Sequence, residues 1–280
     1  MTVALKTPPA GAVAHALGGV YRKLADLCET LDVRVVEPGD ESRTTVTAAR
    51  LASDRTALDA FVDAEAARIH ARYAVAARLD VAASRALHDY AWTLGVLLGG
   101  AWYLERRVPR IRPADLRLDL ATGAYEITPG TALACLADDP LASLPGVLTT
   151  SQEELLRAEL RMAMADHIRP LLAAIGPLAR RGTRSLWGMV ADDLVSGIWY
   201  LGRMLGQESA AVRAATEVLP IAVPPYPGGA DFRYLTGDDG RRHATRTRTG
   251  CCMFYAIRPT EACVTCPRTG DAERLRRLQS

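Results

Sequence analysis

Apolar residues recur at spacings of three and four over most of this chain, and that period predicts helices. Ala10 to Leu31 is rich in alanine and leucine and is expected to be helical. Asp54 to Leu79 carries Leu58, Phe61, Val62, Ala66 and Ile69 along one side, and Val81 to Arg107 carries Leu87, Tyr90, Leu94, Leu97, Leu98 and Trp102. Val108-Pro109 ends that third helix, because proline lacks the N–H a helix interior needs. Ser151-Gln152-Glu153-Glu154 has the form of a capping box, with Ser151 as N-cap, and predicts a helix to about Ala174 with a kink at Pro170. Gly182-Thr183 opens another helix ending near Gly206, and a shorter one spans Glu208 to Val218.

The pattern changes to period two in only a few places. Arg34-Val35-Val36 is a short extended piece. Leu116 to Leu120 alternates, turns at Ala121-Thr122-Gly123 and resumes at Ala124 to Ile127, which is a β-hairpin signature. Thr131 to Leu148 shows no period and is expected to be loop. Leu219 to Gly229 carries four prolines and two glycines and is expected to be a linker. Phe232 to Leu235 is a candidate strand before the turn Gly237-Asp238-Asp239-Gly240, and Asp271 to Leu278 is expected to add a final helical turn or two. The expected architecture is mainly α (α+β). A helical body over residues 1–230, with a small hairpin, precedes a short loop-rich segment over 231–280.

With 280 residues the chain has enough surface to bury a large core. Its longest apolar stretch, Tyr90 to Leu104, is shorter than the roughly 20 residues a spanning helix needs, so stable membrane insertion is not expected. Met1 to Val20 lacks the apolar run and small-residue cleavage site of a signal peptide, which points to the cytoplasm. No G-x-G-x-x-G or G-x-x-x-x-G-K-[ST] is present, so no nucleotide site is legible. Net charge is only +2, yet residues 241–280 hold nine arginines against three acids. That excess first reads as compensation for nearby negative charge and second as a docking face for an acidic electron donor or an anionic substrate. Nucleic acid comes last, because the arginines lack aromatic interleaving. Arg246, Arg248 and Arg258 are the candidate docking residues.

The candidate chemistry lies among those arginines. Cys251, Cys252, Cys263 and Cys266 place four thiols within sixteen residues as C-C-x10-C-x2-C. Soft sulfur ligands select zinc, Cu(I) or iron–sulfur clusters. Structural zinc sites use paired C-x2–4-C knuckles, and this chain has one such pair, Cys263 and Cys266. Cys251 and Cys252 are adjacent, and neighbouring side chains in an extended segment point to opposite faces. That suits one small tetrahedral ion poorly and a larger [2Fe–2S] rhomb better. The spacing therefore ranks a cluster ahead of zinc, and zinc ahead of a disulfide. Cys28 and Cys135 stand apart among apolar residues and read as small buried hydrophobes.

This motif, with an aromatic shortly after the double cysteine and Pro267 after the last one, resembles the cluster motif of the FhuF-type ferric-siderophore reductases. Leu186-Trp187-Gly188-Met189-Val190-Ala191 is similar to a Leu-Trp-Gly-Asn-Val-Ala stretch of the same family, with Met189 in place of the usual asparagine. The resemblance implies a cytoplasmic protein whose [2Fe–2S] cluster, on the four cysteines, reduces the iron of an imported ferric siderophore. It also implies an external electron donor, either a ferredoxin or a flavin- or NAD(P)H-dependent reductase. A ferredoxin-like carrier and an iron–sulfur or zinc-stabilised binding protein without turnover remain the alternative classes.

Three further features are weighed by helix geometry. Trp187, Trp199 and Tyr200 offer flat surfaces for a chelate, with Trp187 the candidate docking residue, although aromatics at helical spacing are more often core. Asp192 and Asp193 diverge by about 100° on a helix, which favours a solvated face. His88 and His167 read as ordinary helix contacts, and His243 is the histidine nearest in sequence to the cysteines.

Overall fold

The computed structural model describes residues 11–279, so Ala10 of the expected Ala10–Leu31 helix and the first ten residues of Met1–Val20 lie outside the described residues. In chain order the elements are α1 (Ala12–Leu27), β1 (Val33–Val35), β2 (Thr45–Thr47), α2 (Ala48–Ser53), α3 (Arg55–Tyr73), α4 (Leu79–Glu105), β3 (Arg107–Pro109), β4 (Leu116–Asp119), β5 (Tyr125–Ile127), β6 (Leu133–Leu136), β7 (Val147–Thr150), α5 (Glu153–Ala179), α6 (Thr183–Met204), α7 (Glu208–Val218), β8 (Phe232–Thr236), β9 (Arg242–Arg246) and α8 (Asp271–Gln279). The fold is mainly helical with small sheets, as the patterning predicts.

Helix α4 runs through the middle of the core. From Val81 to Trp102 it is buried on most of its circumference, and an all-round apolar helix of this kind needs cover on every side. Helices α3, α5 and α6 supply much of it. The α4–α6 crossing is built on glycine. A Cβ on Gly95 would lie 3.0 Å from the carbonyl oxygen of Asp193, and one on Gly197 would lie 3.1 Å from backbone atoms of Gly95 and Val96. The two backbones therefore touch, which brings the Asp192-Asp193 turn of α6 against α4.

The hairpin of β4 and β5 forms where alternation places it, with Leu116 opposite Ile127 and Leu118 opposite Tyr125. It is the centre of a four-stranded sheet ordered β1-β5-β4-β2. The expected loop over 131–148 is corrected: β6 pairs with β3 and, in parallel, with β7. Those pairings are made at a distance along the chain and leave no local period. The capping box is also corrected. Gln152 is the N-cap of α5 and makes no side-chain cap bond, while the hydroxyl of Thr150 donates to the Gln152 carbonyl at 3.0 Å. Helix α5 continues through Pro170 and Pro177 to Ala179. In the expected linker, Ala230 N–H donates to the Leu219 carbonyl at 2.7 Å. The segment thus closes on itself and delivers the chain to the β8–β9 hairpin.

Candidate metal centre

Beyond β9 the chain leaves regular structure. Residues 254–256 and 259–261 form short 3-10 turns, and α8 then closes the segment. Cys251, Cys252, Cys263 and Cys266 all line one small cavity, together with Gly250, Phe254, Tyr255, Pro267 and Arg248. None of the six cysteines is in a disulfide. Cys252 and Cys266 are buried, while Cys251 and Cys263 are half-buried.

Backbone geometry produces this convergence. Met253 is left-handed (φ 62°), an uncommon conformation for a side-chain-bearing residue, and it turns the chain directly after the double cysteine. Its N–H points at Cys251 Sγ at 3.4 Å. On the other side, Cys266 N–H donates to the Cys263 carbonyl at 2.9 Å, which folds Cys-x-x-Cys into a turn. Arg274 of α8 is 1% exposed and ties that turn down. It donates to the carbonyls of Val264 (2.6 Å), Cys266 (3.1 Å) and Thr269 (3.0 Å).

The loop is seated on α6. Gly250 N–H donates to Asp192 Oδ2 at 2.6 Å. A Cβ on Gly250 would meet Met189 Cα at 2.7 Å and the Gly188 carbonyl carbon at 2.9 Å. The Leu186–Ala191 stretch is therefore the platform on which the cysteine loop rests. At position 189 it is the backbone that meets the loop.

Beneath the loop lies a buried charge network. Asp192 and Asp193 are both 0% exposed, which corrects the solvated-face reading. They do diverge, as helix geometry requires, but each meets a cation. Arg246 donates to Asp192 Oδ1 at 2.5 Å and to the Ala230 carbonyl at 2.8 Å. Arg248 pairs closely with Asp193 and lies 3.8 Å from Asp192 Oδ2. His88 of α4 sits 2.8 Å from Asp193 Oδ1 and 3.3 Å from Arg248. Burial pushes the Asp192 carboxyl above its ordinary range, against the pull of Arg246, Arg248 and the Gly250 N–H. Burial would lower the Arg248 guanidinium, but Asp193 and Asp192 outweigh it and hold the charge firmly.

The docking roles assigned to Arg246 and Arg248 are corrected accordingly. Arg246 is 0% and Arg248 7% exposed, so both neutralise the interior rather than present charge to a partner. Trp187 is corrected in the same way. It is buried, edge-on to Tyr226 with ring centroids 5.7 Å apart and with Arg169 over its face, so it offers no wall to a chelate. Arg258 is exposed and paired with Glu261. His243 lies on β9, with its Nε2 buried and without a hydrogen-bond partner. The histidine at the centre is His88, 160 residues away in sequence from Arg248, a separation that hides the contact from sequence reading.

The residues present fit a sulfur-bridged cluster. Arg85 and Arg248 both place positive charge near Cys252. Cys252 and Cys263 share one hydrogen bond, which lowers the Cys252 thiol and raises the Cys263 thiol, so the two sulfurs already face one another. Arg248 lines the cavity and its buried Nε has no hydrogen-bond partner. Among the described residues, no three His, Cys, Asp or Glu side chains are grouped as ligands for a single metal ion. A [2Fe–2S] cluster takes four cysteine ligands, the number present here. Cys28 and Cys135 lie elsewhere in the core, and burial pushes both thiols up to about 11.

Residues 248–268 match the FhuF 2Fe-2S C-terminal domain. The match runs from Arg248 through all four cysteines to the residue after Pro267, and the cofactor it brings is a [2Fe–2S] cluster. No curated protein matches the chain. No helix among the described residues is long and apolar enough to cross a membrane.

Proposed function

We propose that this protein is a cytoplasmic ferric-siderophore reductase. It passes one electron to siderophore-bound Fe3+ and so releases Fe2+. The observation that carries the reading is the convergence of the four cysteines of the FhuF-type segment on one cavity, backed by cationic side chains. Siderophores hold Fe3+ with hard oxygen donors, and the same donors hold the larger, less charged Fe2+ far more weakly. A one-electron step therefore suffices for release. A bound [2Fe–2S] cluster supplies that single electron.

The chain's own residues do the rest. Cys251, Cys252, Cys263 and Cys266 hold the group. Arg248 and Arg85 bring positive charge to it, which favours the reduced state. Arg274 and Asp192 fix the loop against the helical body. Electrons come from an external donor, a ferredoxin or a flavin- or NAD(P)H-dependent reductase. The test is anaerobic mixing of the dithionite-reduced holoprotein with a panel of ferric siderophores and a ferrous trap. Reoxidation with Fe2+ captured in equal amount is expected. Reoxidation by a small oxidant but by no ferric chelate would overturn the reductase reading in favour of an electron carrier with another acceptor.

A further inference from the structure

Next to the cysteine cavity, on the far side of Arg248 and of the Cys263–Cys266 turn, lies a second, open concavity of about 280 Å³. Trp92 of α4, Ser196, Tyr200 and Arg203 of α6, and Val264 and Thr265 form much of its wall. Three properties set it apart. First, Val264 and Thr265 are the two residues between Cys263 and Cys266, so an occupant is separated from the sulfurs by the thickness of one loop. Second, Trp92 and Tyr200 are both half-buried and meet edge to face, with ring centroids 5.6 Å apart. They leave aromatic surface facing the groove and stiffen one another. Third, the wall includes two arginines and no carboxylate. Arg248 is neutralised from below by Asp193 and Asp192. Arg203 is half exposed, and its nearest acid, Glu208, stands 3.9 Å away and also accepts from the Trp199 indole at 3.0 Å. Arg203 also lies over the Trp199 ring at 5.9 Å, so with only this long ion pair against it, it keeps exposed positive charge at the rim.

At about 280 Å³ the groove lies close to the lower end of the roughly 300–1,000 Å³ usual for ligand sites, and it is open to solvent, so a compact chelate can seat one face in it. We propose that this groove is the docking site of the ferric chelate and that it selects chelates of net negative charge. The proposal rests on the reductase reading and adds where the substrate sits and what charge it carries. One electron passes across the Val264-Thr265 segment. One Fe3+ becomes Fe2+, the cluster is left oxidised by one electron, and the external donor restores it. No proton or covalent bond changes hands. Trp92 and Tyr200 hold the organic shell by contact, and Arg203 adds a charge term that salt screens.

Binding is separable from reduction because gallium(III) complexes have the shape and charge of the ferric ones and accept no electron. The experiment is titration of the oxidised holoprotein with gallium complexes of an anionic, a neutral and a cationic siderophore, read by calorimetry and tryptophan fluorescence. Tyr200→Ala and Arg203→Glu holoproteins are titrated in parallel. Arg203 is exposed, so its variant tests the charge term without disturbing the core.

The anionic complex is expected to bind tightest. Its affinity is expected to fall by about ten-fold in Arg203→Glu at low salt and much less at 1 M salt, and to fall in Tyr200→Ala at both. Binding of the anionic complex that neither substitution changes would overturn the groove, while the ferric-chelate assay above would still stand. Equal affinity for all three complexes would overturn the charge selection. If no gallium complex binds and no ferric chelate reoxidises the reduced protein, the reductase reading and this proposal fall together.

Discussion

Asp192 is the side chain on which the cysteine loop and the helical body most directly depend. Its two oxygens accept from Gly250 N–H and from Arg246, and Arg248 lies 3.8 Å away. Asp192→Asn keeps the volume but removes the charge and leaves one acceptor oxygen for two buried donors. The amide NH2 must then face either Arg246 or the Gly250 N–H, donor against donor. Breaking one side of a buried ion pair costs about 3–5 kcal/mol, and retention of one oxygen places this change near the lower end. At about 2.1 cal/mol/K per residue, a chain of 280 residues unfolds with an entropy near 0.6 kcal/mol/K. A loss of about 3 kcal/mol therefore lowers Tm by about 5 °C. The assay is thermal unfolding of the holoprotein, followed by circular dichroism and by visible absorbance in the same sample. The visible signal should be lost at a lower temperature than in the wild type, because the Gly250 anchor is weakened. The double change Asp192→Asn with Arg246→Met should cost less than the two single changes added together, since it leaves no bare guanidinium. A Tm within about 1 °C of wild type, with unchanged loss of the visible signal, would refute the claim that this carboxylate balances buried charge.

Three further outcomes are expected. His167 is buried, with Nδ1 donating to the Ile111 carbonyl at 2.8 Å and Nε2 accepting from Tyr90 at 2.6 Å, and burial lowers its pKa to about 4. The unfolded chain, titrating near 6.5, binds more protons between those values. Stability present above pH 6.5 should thus fall by about 3 kcal/mol by pH 4, and urea midpoints of His167→Gln should fall less over that window than those of wild type. Gly250→Ala should lose most of the bound iron, because its methyl cannot fit against Met189 and Gly188. Gly270→Ala, with nothing within 4 Å, should retain it. Replacing Cys28 and Cys135 together with alanine should leave the visible spectrum intact and cost about 1 kcal/mol each in stability, and loss of the cluster from that variant would contradict the four-cysteine ligand set.

The helices were legible because their periods are local. The hairpin of β4 and β5 was legible because its turn residues separate two short runs. Strands β6 and β7 were not, since a parallel pair needs a partner that neighbouring residues do not reveal. The four cysteines declared themselves by residue type and spacing alone. Their support did not. Asp192 and Asp193 were misplaced by a correct premise, the 100° divergence of neighbours, joined to a wrong one, that a diverging pair must face water. The signal was present: Leu186 to Tyr200 carries no other charge, and acids in an all-round apolar helix require partners. Arg246 and Arg248, two apart, lie on one face of an extended segment and were the matching pair. Their positive charge drew attention to the surface when their role is internal.

Because the carbonyls of Val264, Cys266 and Thr269 converge on Arg274, and the loop's other anchors are His88, Gly188 and Asp192, the sixteen-residue motif is not portable. Grafted into another scaffold, the same spacing would arrive without Arg246, Arg248 and Arg274, as a loop with no cationic backing and a turn with nothing to hold it shut. Cluster capture in this chain is thus a property of the finished tertiary structure. Iron incorporation should therefore require the folded helical body and report on it.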